Sequence, residues 1–403
     1  MKKLIFLTLM IMFAGCDDDS TNNSNNINNT NNSTNSNNTN NNTNNTNNTN
    51  NTNNTNNTTL TRSFRMGFSP WMYDATLEAR SWTYDHIKTH GDMISEHMEE
   101  GVPWPEAASG DDFTAEFNTE ISERVQFAGD HPLLLQINAM DIARANLAPY
   151  RGTSPNMPLP AEWQGRTFAS PEVYDAYLNY ARRMIDAFNP THILLGVEVN
   201  LLLTNNPSAW DDWVDLNTFI YTNLKTEYPD LLIGVSVFCV PYFDQWAPEH
   251  DSEAQIAALE NDIEPNVDFI AFSLHPFMSA LLADSFPEDY LNNLYSLTTK
   301  PIAVSESSYS AQEWTLPSMS ITWHGTPQKQ YDFVDQMLTE SNNFGALFVI
   351  WFTIRDYDQL WENVLGSGED SLIWRDTGLY DENGVERIAL ELWDSWLARP
   401  VVD

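Results

Sequence analysis

Two glutamates interrupt apolar segments that would otherwise be expected to be buried. Glu198 lies in HILLGVEVNLLL at residues 192–203, and Glu306 lies in PIAVSESSY at residues 301–309. Carboxylates are uncommon in buried surroundings unless they are paired or functional, so a salt bridge at a strand end is the structural alternative for either residue. Two carboxyl groups about 5 to 5.5 Å apart can also cleave a glycosidic bond, one as acid and one as nucleophile. That chemistry requires a fold that brings the two segments together.

The order of apolar and amphipathic segments predicts that fold. Eight apolar runs lie beyond residue 60, mostly without strict alternation, as is typical of parallel strands covered on both faces. The runs are 64–71, 92–98, 132–140, 192–200, 231–240, 268–277, 301–309 and 346–354. Segments with helical spacing separate or follow them, at 74–90, 112–128, 170–188, 207–227, 252–260, 285–297, 326–342 and 385–397. Of these, 170–188 has the clearest start signal, Ser170-Pro171.

Eight strand-helix units in about 340 residues predict an α/β fold of the (β/α)8 TIM-barrel type, with parallel strands and right-handed crossovers. An open, doubly wound sheet is the alternative. The first predicted strand is not followed by the Gly-x-Gly-x-x-Gly pattern of dinucleotide-binding sheets, which disfavours that alternative.

Three regions are predicted along the chain. Residues 1–16, MKKLIFLTLMIMFAGC, have two lysines and an apolar stretch too short for a membrane span, as in a signal peptide. The ending FAGC resembles the lipobox of bacterial lipoproteins, which implies acylation of Cys16; an ordinary secreted protein is the alternative. Residues 17–60, rich in Asn and Thr, have no apolar face and are expected to form a disordered linker. Residues 61–403 form the predicted barrel.

These features predict where the protein acts and with what it interacts. A lipid on Cys16 would hold the barrel at a bacterial membrane, on the periplasmic or extracellular face of the cell envelope. The chain has a formal net charge of -37, which disfavours nucleic acid and anionic polymers and favours a neutral substrate. Solubility or a salty habitat would explain the same acidity. Cys239, the second of 2 cysteines, is expected to be a small buried hydrophobe, and a monomer is expected.

In a TIM barrel, functional side chains lie at the carboxyl ends of the strands. The sequence places several polar or aromatic residues at or just beyond such ends. They are Glu96 and His97 for the second strand, Asn138 and Asp141 for the third, Glu198 and Asn200 for the fourth, His275 for the sixth, Glu306 for the seventh and Trp351 for the eighth. Four loop tryptophans also lie just beyond strand ends and could stack on sugar rings: Trp71, Trp104, Trp246 and Trp314.

The segments GVEVN and AVSESSY resemble the fourth and seventh strand ends of the retaining glycoside hydrolases of clan A. The resemblance implies that Glu198 is the general acid/base and Glu306 the nucleophile. The clan usually places Asn before its acid/base, whereas this chain has Val197 there; Asn200, two residues after Glu198, is predicted to substitute on the same side of an extended strand. Because of this departure, the clan's usual contact to the sugar 2-hydroxyl is not predicted for this chain, and loss of catalysis stays an alternative.

The same resemblance extends to two further residues. His275 in FSLHPF resembles the residue that contacts the nucleophile at the sixth strand, and a hydrogen-bonded structural histidine is the alternative. Trp351 resembles the tryptophan floor beneath the sugar, and barrel core is its alternative. VSESSY with the Trp-bearing eighth strand also resembles, faintly, the arabinogalactan endo-β-1,4-galactanases. The implied activity is hydrolysis of a neutral β-linked glycan, with an endo-glycanase of the galactanase, mannanase or glucanase type among the possibilities.

The sequence gives little sign of other active-site types. Metal-dependent barrel hydrolases commonly have His-x-His after the first strand, which FRMGFSPW lacks, so neither a metal nor a cofactor is expected. Gly-x-Ser-x-Gly and P-loop motifs are also missing from the sequence. The alternative from another functional class is a non-catalytic carbohydrate-binding surface lipoprotein on a barrel scaffold, which would keep the aromatic residues without needing both carboxylates.

Overall fold

A computed structural model describes residues 60–248, 250–279, 282 and 286–402 of the chain. The predicted signal peptide, Cys16 and residues 17–59 of the predicted linker lie outside the described residues. Among the helices that are described, none combines the length and the apolar character needed to cross a membrane.

Eight parallel strands close into a barrel, so the prediction of a TIM barrel is confirmed and the open-sheet alternative is wrong. The eighth barrel strand is β10, because β8 and β9 form a separate antiparallel hairpin. The barrel strands are β1 (Arg65–Phe68), β2 (Met93–Met98), β3 (Leu133–Ile137), β4 (His192–Leu194), β5 (Leu232–Phe238), β6 (Phe269–Leu274), β7 (Ile302–Ser307) and β10 (Phe348–Trp351). The hairpin strands are β8 (Glu313–Leu316) and β9 (Ile321–His324).

Every segment with predicted helical spacing contains a helix. These helices are α1 (Leu77–Thr89), α3 (Ala115–Ala128), α4 (Pro171–Phe188), α6 (Trp210–Glu227), α7 (Ser252–Ala258), α8 (Tyr290–Tyr295), α9 (Pro327–Asn343) and α12 (Ile388–Leu397). As its sequence indicates, α4 begins at Pro171, whose missing N–H is tolerated in a first turn. It ends before Asn189, which has a left-handed conformation with φ 46°.

Shorter elements occupy the loops that follow the strands, where the active sites of TIM barrels lie. They are the β8–β9 hairpin after β7 and the helices α2 (Trp104–Ser109), α5 (Leu202–Asn205), α10 (Asp358–Asn363) and α11 (Glu369–Arg375). Each of these elements is too short to show a clear hydrophobic period, so the sequence does not predict them.

The inside of the barrel changes from apolar to charged along the strand direction. Its lower part is a cluster of fully buried residues from six strands, Met93, Leu134, Leu194, Phe269, Ala271, Ala303, Phe348 and Ile350. Because alternate residues of a strand share a face, β2 continues from Met93 through Ser95 to His97. Above the apolar layer, Gln136 donates a hydrogen bond to Ser95, and both are fully buried. A polar layer therefore lies beneath the barrel mouth.

The remaining core fills the space between the sheet and the helices. Cys239 follows β5 and is buried, as predicted for a small hydrophobe, and it is a free thiol.

Candidate active site

Glu198 is held at the barrel mouth by polar side chains of two neighbouring strands. Beyond Leu194 the chain leaves the sheet, and Glu198 adopts a left-handed backbone conformation with φ 52°. Its backbone N–H donates to Oγ of Ser236 at 2.9 Å, and its Oε1 accepts from Oγ of Ser273 at 2.8 Å. Non-glycine residues with positive φ are uncommon and are often found at functional sites.

Glu306 reaches the same space because of an irregularity in β7. Phe272 pairs with Val304, but the next residue of β6, Ser273, pairs with Glu306, so Ser305 is an extra residue in β7. Such bulges redirect side chains and are common beside active sites. With regular alternation, Ala303, Ser305 and Ser307 would share the inner face and Glu306 would point outward.

The two glutamates meet across the barrel mouth. One carboxylate oxygen of Glu198, one of Glu306 and one ring nitrogen of His275 all lie within 4.8 Å of one another. The barrel order β7-β6-β5-β4 separates the two parent strands by two others, so an approach this close is produced by side chains that extend over the mouth. Each of the two glutamate side chains is 13% exposed.

Three more charged residues join the glutamates into what we call the inner cluster, which consists of His97, Glu99, Arg144, Glu198 and Glu306. His97 lies between two carboxylates, with Nε2 2.8 Å from Glu99 and Nδ1 3.4 Å from Glu306. Arg144 also lies between two carboxylates, 2.9 Å from Glu99 and 3.6 Å from Glu198. Two cations thus face three carboxylates.

The surroundings shift the pKa values of the two facing glutamates in opposite directions. Burial raises the pKa of Glu198 to about 7; Arg144 and Ser273 oppose this rise, while the negative charge of Glu306 adds to it. Burial also acts to raise the pKa of Glu306, but the adjacent His97 imidazolium outweighs it, so this pKa lies below the ordinary range. At neutral pH, Glu306 is therefore ionised and Glu198 carries a proton in a large fraction of molecules.

The charges of His97 and Glu99 are stabilised by their partners in the inner cluster. Burial disfavours a charged His97, yet Glu99 and Glu306 together raise its pKa to about 10. Burial likewise opposes ionisation of Glu99, but Arg144 and His97 lower its pKa to about 2. Both groups are therefore charged throughout the physiological pH range.

His275 lies beside Glu306 as an uncharged ring. It follows β6 on the inner face, is 6% exposed, and its Nδ1 lies 2.7 Å from Oγ of Ser308. Burial lowers the pKa of His275 to about 4, although Glu306 opposes the shift. A neutral imidazole at this position can donate or accept a hydrogen bond without adding charge.

A pocket opens above the inner cluster, and residues at or beyond the end of every barrel strand line it. Its apolar wall comes mainly from Trp71 after β1, Phe238 at the end of β5, Met278 after β6, Phe352 after β10, and Trp374 on α11. The rings of Trp71 and Phe352 pack with centroids 5.3 Å apart. Flat aromatic faces beside carboxylates suit a ligand that has both hydroxyl groups and apolar C–H faces.

Of the two asparagines predicted to bind substrate, neither lines the pocket. Asn200 is fully buried, and its side chain exchanges hydrogen bonds with the backbone of Phe238 and also donates to Gln255. The chain forms a 3-10 turn after Glu198 instead of an extended strand, so the predicted shared side does not exist. Asn138 donates hydrogen bonds to Glu99 and to the carbonyl of Val197, and it thereby fixes the Glu99 side chain.

The prediction for Trp351 is also corrected. Trp351 is fully buried, packs on Phe333 of α9 and donates its Nε1–H to the carbonyl of Thr377. It therefore faces the surrounding helices, as the core alternative required. The next residue, Phe352, lies in the pocket wall instead.

Among the loop tryptophans, only Trp71 lines the pocket. Trp314 lies in β8, is 4% exposed and packs against Trp323 and Phe277. Trp104 is fully buried on α2, and Trp246 packs partly against the core. These three rings support the loops around the mouth and are placed away from the pocket.

Glu99 and Arg144 were not among the residues predicted for the site, and His97 was predicted only to lie near the end of the second strand. The alternation along β2 could have identified two of them, because Met93, Ser95, His97 and Glu99 follow each other at intervals of two. Glu96, which was considered equally, points outward and accepts a hydrogen bond from Tyr84. Arg144 lies in the loop after β3, where no periodic signal exists.

Two groups in the described part of the chain have donor atoms close enough to hold a metal ion. One is Glu198, His275 and Glu306; the other is Asp356, Asp358 and Glu382. The first already faces the cations His97 and Arg144, which compensate its negative charge and would repel a divalent ion. The second is neutralised in part by Arg387, which donates to both oxygens of Asp356.

Comparison with known proteins gives matches at the level of structure. No family model matches the chain, and no curated protein matches it by sequence. Among solved structures, the exo-β-1,4-mannosidase Op5Man5 from Opitutaceae bacterium strain TAV5 aligns over 84% of this chain and 59% of its own, at 13% identity and a TM-score of 0.54. This chain therefore spans little more than half the length of that mannosidase.

Two further structures align over most of both chains. A GH5_18 protein from Streptomyces cattleya in complex with GlcNAc covers 85% of this chain and 83% of its own, at 14% identity and a TM-score of 0.56. The GH53 catalytic domain of Ignisphaera aggregans covers 78% and 88%, at 16% identity and a TM-score of 0.51. The likeness is one of fold.

Proposed function

We propose that the protein is a retaining glycoside hydrolase in which Glu198 is the general acid/base and Glu306 the nucleophile. The observation that carries the proposal is the approach of the two carboxylates within 4.8 Å, combined with their opposite pKa shifts. Retaining glycosidases need carboxyl groups about 5 to 5.5 Å apart, whereas inverting enzymes leave about 6.5 to 9.5 Å for a water molecule. An acid with a raised pKa and a nucleophile that stays ionised is the required division of roles.

In the first step, the ionised carboxylate of Glu306 attacks the anomeric carbon. A bond forms between one Oε atom and that carbon while the bond to the leaving oxygen breaks, and the proton of Glu198 moves to the leaving oxygen. The proton transfer neutralises the charge that would otherwise develop on the alcohol. His97 stays beside Glu306 at 3.4 Å and stabilises the carboxylate before attack.

In the second step, water replaces the enzyme at the anomeric carbon. Glu198, now a carboxylate, accepts a proton from the water as its oxygen attacks; the bond to Glu306 breaks, and both glutamates return to their initial states. Two inversions give a product with the configuration of the substrate. The charge of Arg144, 3.6 Å from Glu198, stabilises the carboxylate form that exists between the steps.

The substrate we propose is a neutral, β-linked polysaccharide or oligosaccharide. The formal net charge of -37 disfavours the approach of a uronate or a sulfated sugar. Trp71, Phe352 and Trp374 offer apolar surface for sugar rings. The named relatives in structure include a mannosidase and a protein bound to GlcNAc, which makes β-mannosides and related glycans the first substrates to test.

The sugar 2-hydroxyl requires a partner other than the asparagine that clan A usually provides. Val197 precedes Glu198, and the buried side chain of Asn200 is hydrogen-bonded to the backbone of Phe238. We infer that polar groups from other strands supply this contact. A marked fall in rate when the 2-hydroxyl is removed, measured with 2-deoxy glycosides, is the expected consequence.

We also propose that the barrel acts at the bacterial cell envelope, tethered by a lipid on Cys16 through the linker of residues 17–60. The basis is the sequence FAGC, since this part of the chain lies outside the described residues. Labelling of the full chain with radioactive palmitate in a bacterial host, compared with Cys16→Ala, tests the anchor. Equal labelling of both forms would disprove acylation at this residue.

The test of function is the release of reducing ends from a panel of neutral glycans, combined with the anomeric configuration of the first product by NMR. Wild type should release a product of retained configuration, and Glu306→Gln should abolish release. Tight glycan binding without release would favour the alternative, a carbohydrate-binding surface lipoprotein. A product of inverted configuration would assign Glu306 a different role, as a base that activates water.

A further inference from the structure

Glu99 is not one of the proposed catalytic glutamates, yet it connects them. Its Oε2 lies 2.8 Å from Nε2 of His97, and its Oε1 lies 2.9 Å from Arg144. His97 faces Glu306 at 3.4 Å, and Arg144 faces Glu198 at 3.6 Å. A single carboxylate therefore stands between two cations, each of which contacts a different catalytic group.

The distances show which partner each cation prefers. Both His97 and Arg144 lie closer to Glu99 than to the catalytic glutamate on their other side. Asn138 supports this arrangement by donating a hydrogen bond to Glu99 from β3. The charge of Glu99 thus fixes the cations in place, and Arg144 is kept from a closer pairing with Glu198.

We propose that Glu99 is a positioning residue that assigns the protonation states of the catalytic pair. By its own negative charge and by drawing Arg144 away, Glu99 lets Glu198 keep its proton, and it holds the charged His97 in place beside Glu306. The proposal rests on the proposed glycosidase function, since it explains how two identical side chains acquire different roles there.

Other groups that face the inner cluster do not duplicate this effect. His275, from the end of β6, is neutral because burial lowers its pKa to about 4. The thiol of Cys239, after β5, is neutral because burial raises its pKa to about 12. Glu100 and Arg124 line the same pocket, but they lie 3.9 Å from each other and pair within the ion network on the other face of β2. Within the inner cluster, the fixed charges beside the two catalytic groups are His97, Glu99 and Arg144.

The variant Glu99→Gln keeps the size of the side chain and removes its charge. Without Glu99, the pKa of His97 falls because its nearer anion is lost, but His97 stays protonated at the low pH where Glu306 titrates. Loss of the negative charge of Glu99 therefore lowers the pKa of Glu306. Arg144 is then released toward Glu198 and lowers the pKa of that carboxyl. Because one nearby charge shifts a pKa by about 1 to 3 units, the alkaline limb of the pH profile of kcat/KM should move down by about that amount. The acid limb should also move down, but by less, because Arg144 moves toward Glu198 only.

Glu96→Gln is the matched control. Glu96 lies on the same strand but on its outer face, where it accepts from Tyr84 and pairs with Arg124. The control should leave both limbs in place. If Glu99→Gln lowers kcat while both limbs stay at their wild-type positions, its role is structural and the proposal is wrong. If Glu99→Gln does not fold, Glu99→Asp should shift the limbs in the same directions by less.

The ionisation of His97 can be followed without any substrate, which separates this proposal from the proposed function. In protein with ¹⁵N-labelled histidine, the wild-type ring should stay protonated up to a pH of about 10. In Glu99→Gln it should lose its proton at least about one unit lower. A shifted ring in a protein that cleaves no glycan would disprove only the glycosidase function. An unshifted ring would disprove the role of Glu99 even in an active enzyme.

Discussion

Strand β2 has a buried charge cluster on each face, and the two clusters differ in construction. The inner cluster surrounds Glu198 and Glu306 at the barrel mouth. The outer cluster, between β2 and α3, consists of Tyr84, Glu96, Glu100, Glu120, Arg124 and Arg151. At its centre, Arg124 lies 2.9 Å from Glu120 and 3.1 Å from Glu96, and it lies 3.9 Å from Glu100. Arg151 pairs with the second oxygen of Glu120.

Perturbed pKa values alone do not distinguish the clusters. Burial raises the pKa of Glu100 in the outer cluster to about 7, the same value as for Glu198 in the inner one. The difference lies in geometry. Glu100 and Arg124 reach the edge of the pocket, but the outer carboxylates gather around the Arg124 guanidinium on one side of the sheet. The inner carboxylates Glu198 and Glu306 approach the pocket from opposite strands. A functional site is distinguished here by carboxylates that converge on a cavity. In a buried ion network, each charge instead pairs with a neighbouring charge of opposite sign.

The largest difference between the two clusters is expected for Glu306→Gln in the inner cluster. We expect kcat to fall by about 10⁴-fold or more, because the attacking group is lost, while the melting temperature stays within a few degrees of wild type. Initial rates on an activated aryl glycoside and calorimetry measure the two effects. A variant that keeps a tenth of the wild-type rate would remove Glu306 from the reaction.

The reciprocal change is Arg124→Met in the outer cluster. It leaves three carboxylates around the vacated position with less positive charge, so the free energy of unfolding should fall by about 3 to 5 kcal/mol. Urea denaturation measures the loss. The pH limbs of the protein that remains folded should match those of wild type. Shifted limbs would mean that the outer cluster takes part in the chemistry.

The pH profile of the wild-type enzyme gives a smaller but more specific test. Glu198 must be protonated for the first step, so kcat/KM should fall tenfold per unit above a pH of about 7. Glu306 must be ionised, and its lowered pKa places the acid limb below the ordinary range of a glutamate. With a good leaving group, Glu198→Gln should lose the alkaline limb. An alkaline limb that persists in this variant would belong to another group.

We expect the smallest effect from a substitution of Asn200, which was predicted to bind substrate but is buried in the barrel wall. Asn200→Ala should lower the free energy of unfolding by about 1 to 3 kcal/mol, since two buried hydrogen bonds between the Asn200 side chain and the backbone of Phe238 are lost. KM should remain unchanged, whereas Trp71→Ala should raise it. A large increase in KM for Asn200→Ala would restore the predicted contact with substrate.

The sequence predicted the barrel because hydrophobic runs and amphipathic segments are long-range patterns, and many residues contribute to each. It also predicted the two glutamates, since both stand at strand ends in a fold that uses such ends. The bulge in β7 was not predictable: regular alternation would turn Glu306 outward, and only the pairing of Ser273 shows the extra residue.

The details of the wall were predicted less well for an identifiable reason. In β10, Phe348 and Ile350 face the inside, so alternation selects Phe352 and excludes Trp351. The resemblance to clan A favoured the tryptophan, and local periodicity was the better guide. Arg144 could not be predicted, because its position depends on a loop whose conformation no short pattern specifies.

The nucleophile can be identified by trapping the sugar on the protein. Wild type is incubated with 2,4-dinitrophenyl 2-deoxy-2-fluoro-β-glycosides of glucose, mannose and galactose, whose fluorine slows release of the covalent intermediate, and the digested protein is analysed by mass spectrometry. One of them should add a single fluoroglycosyl group to the peptide containing Glu306 and none to Glu306→Gln. Turnover of the parent glycoside with the label on Glu198, or with no labelled peptide at all, would contradict the assignment.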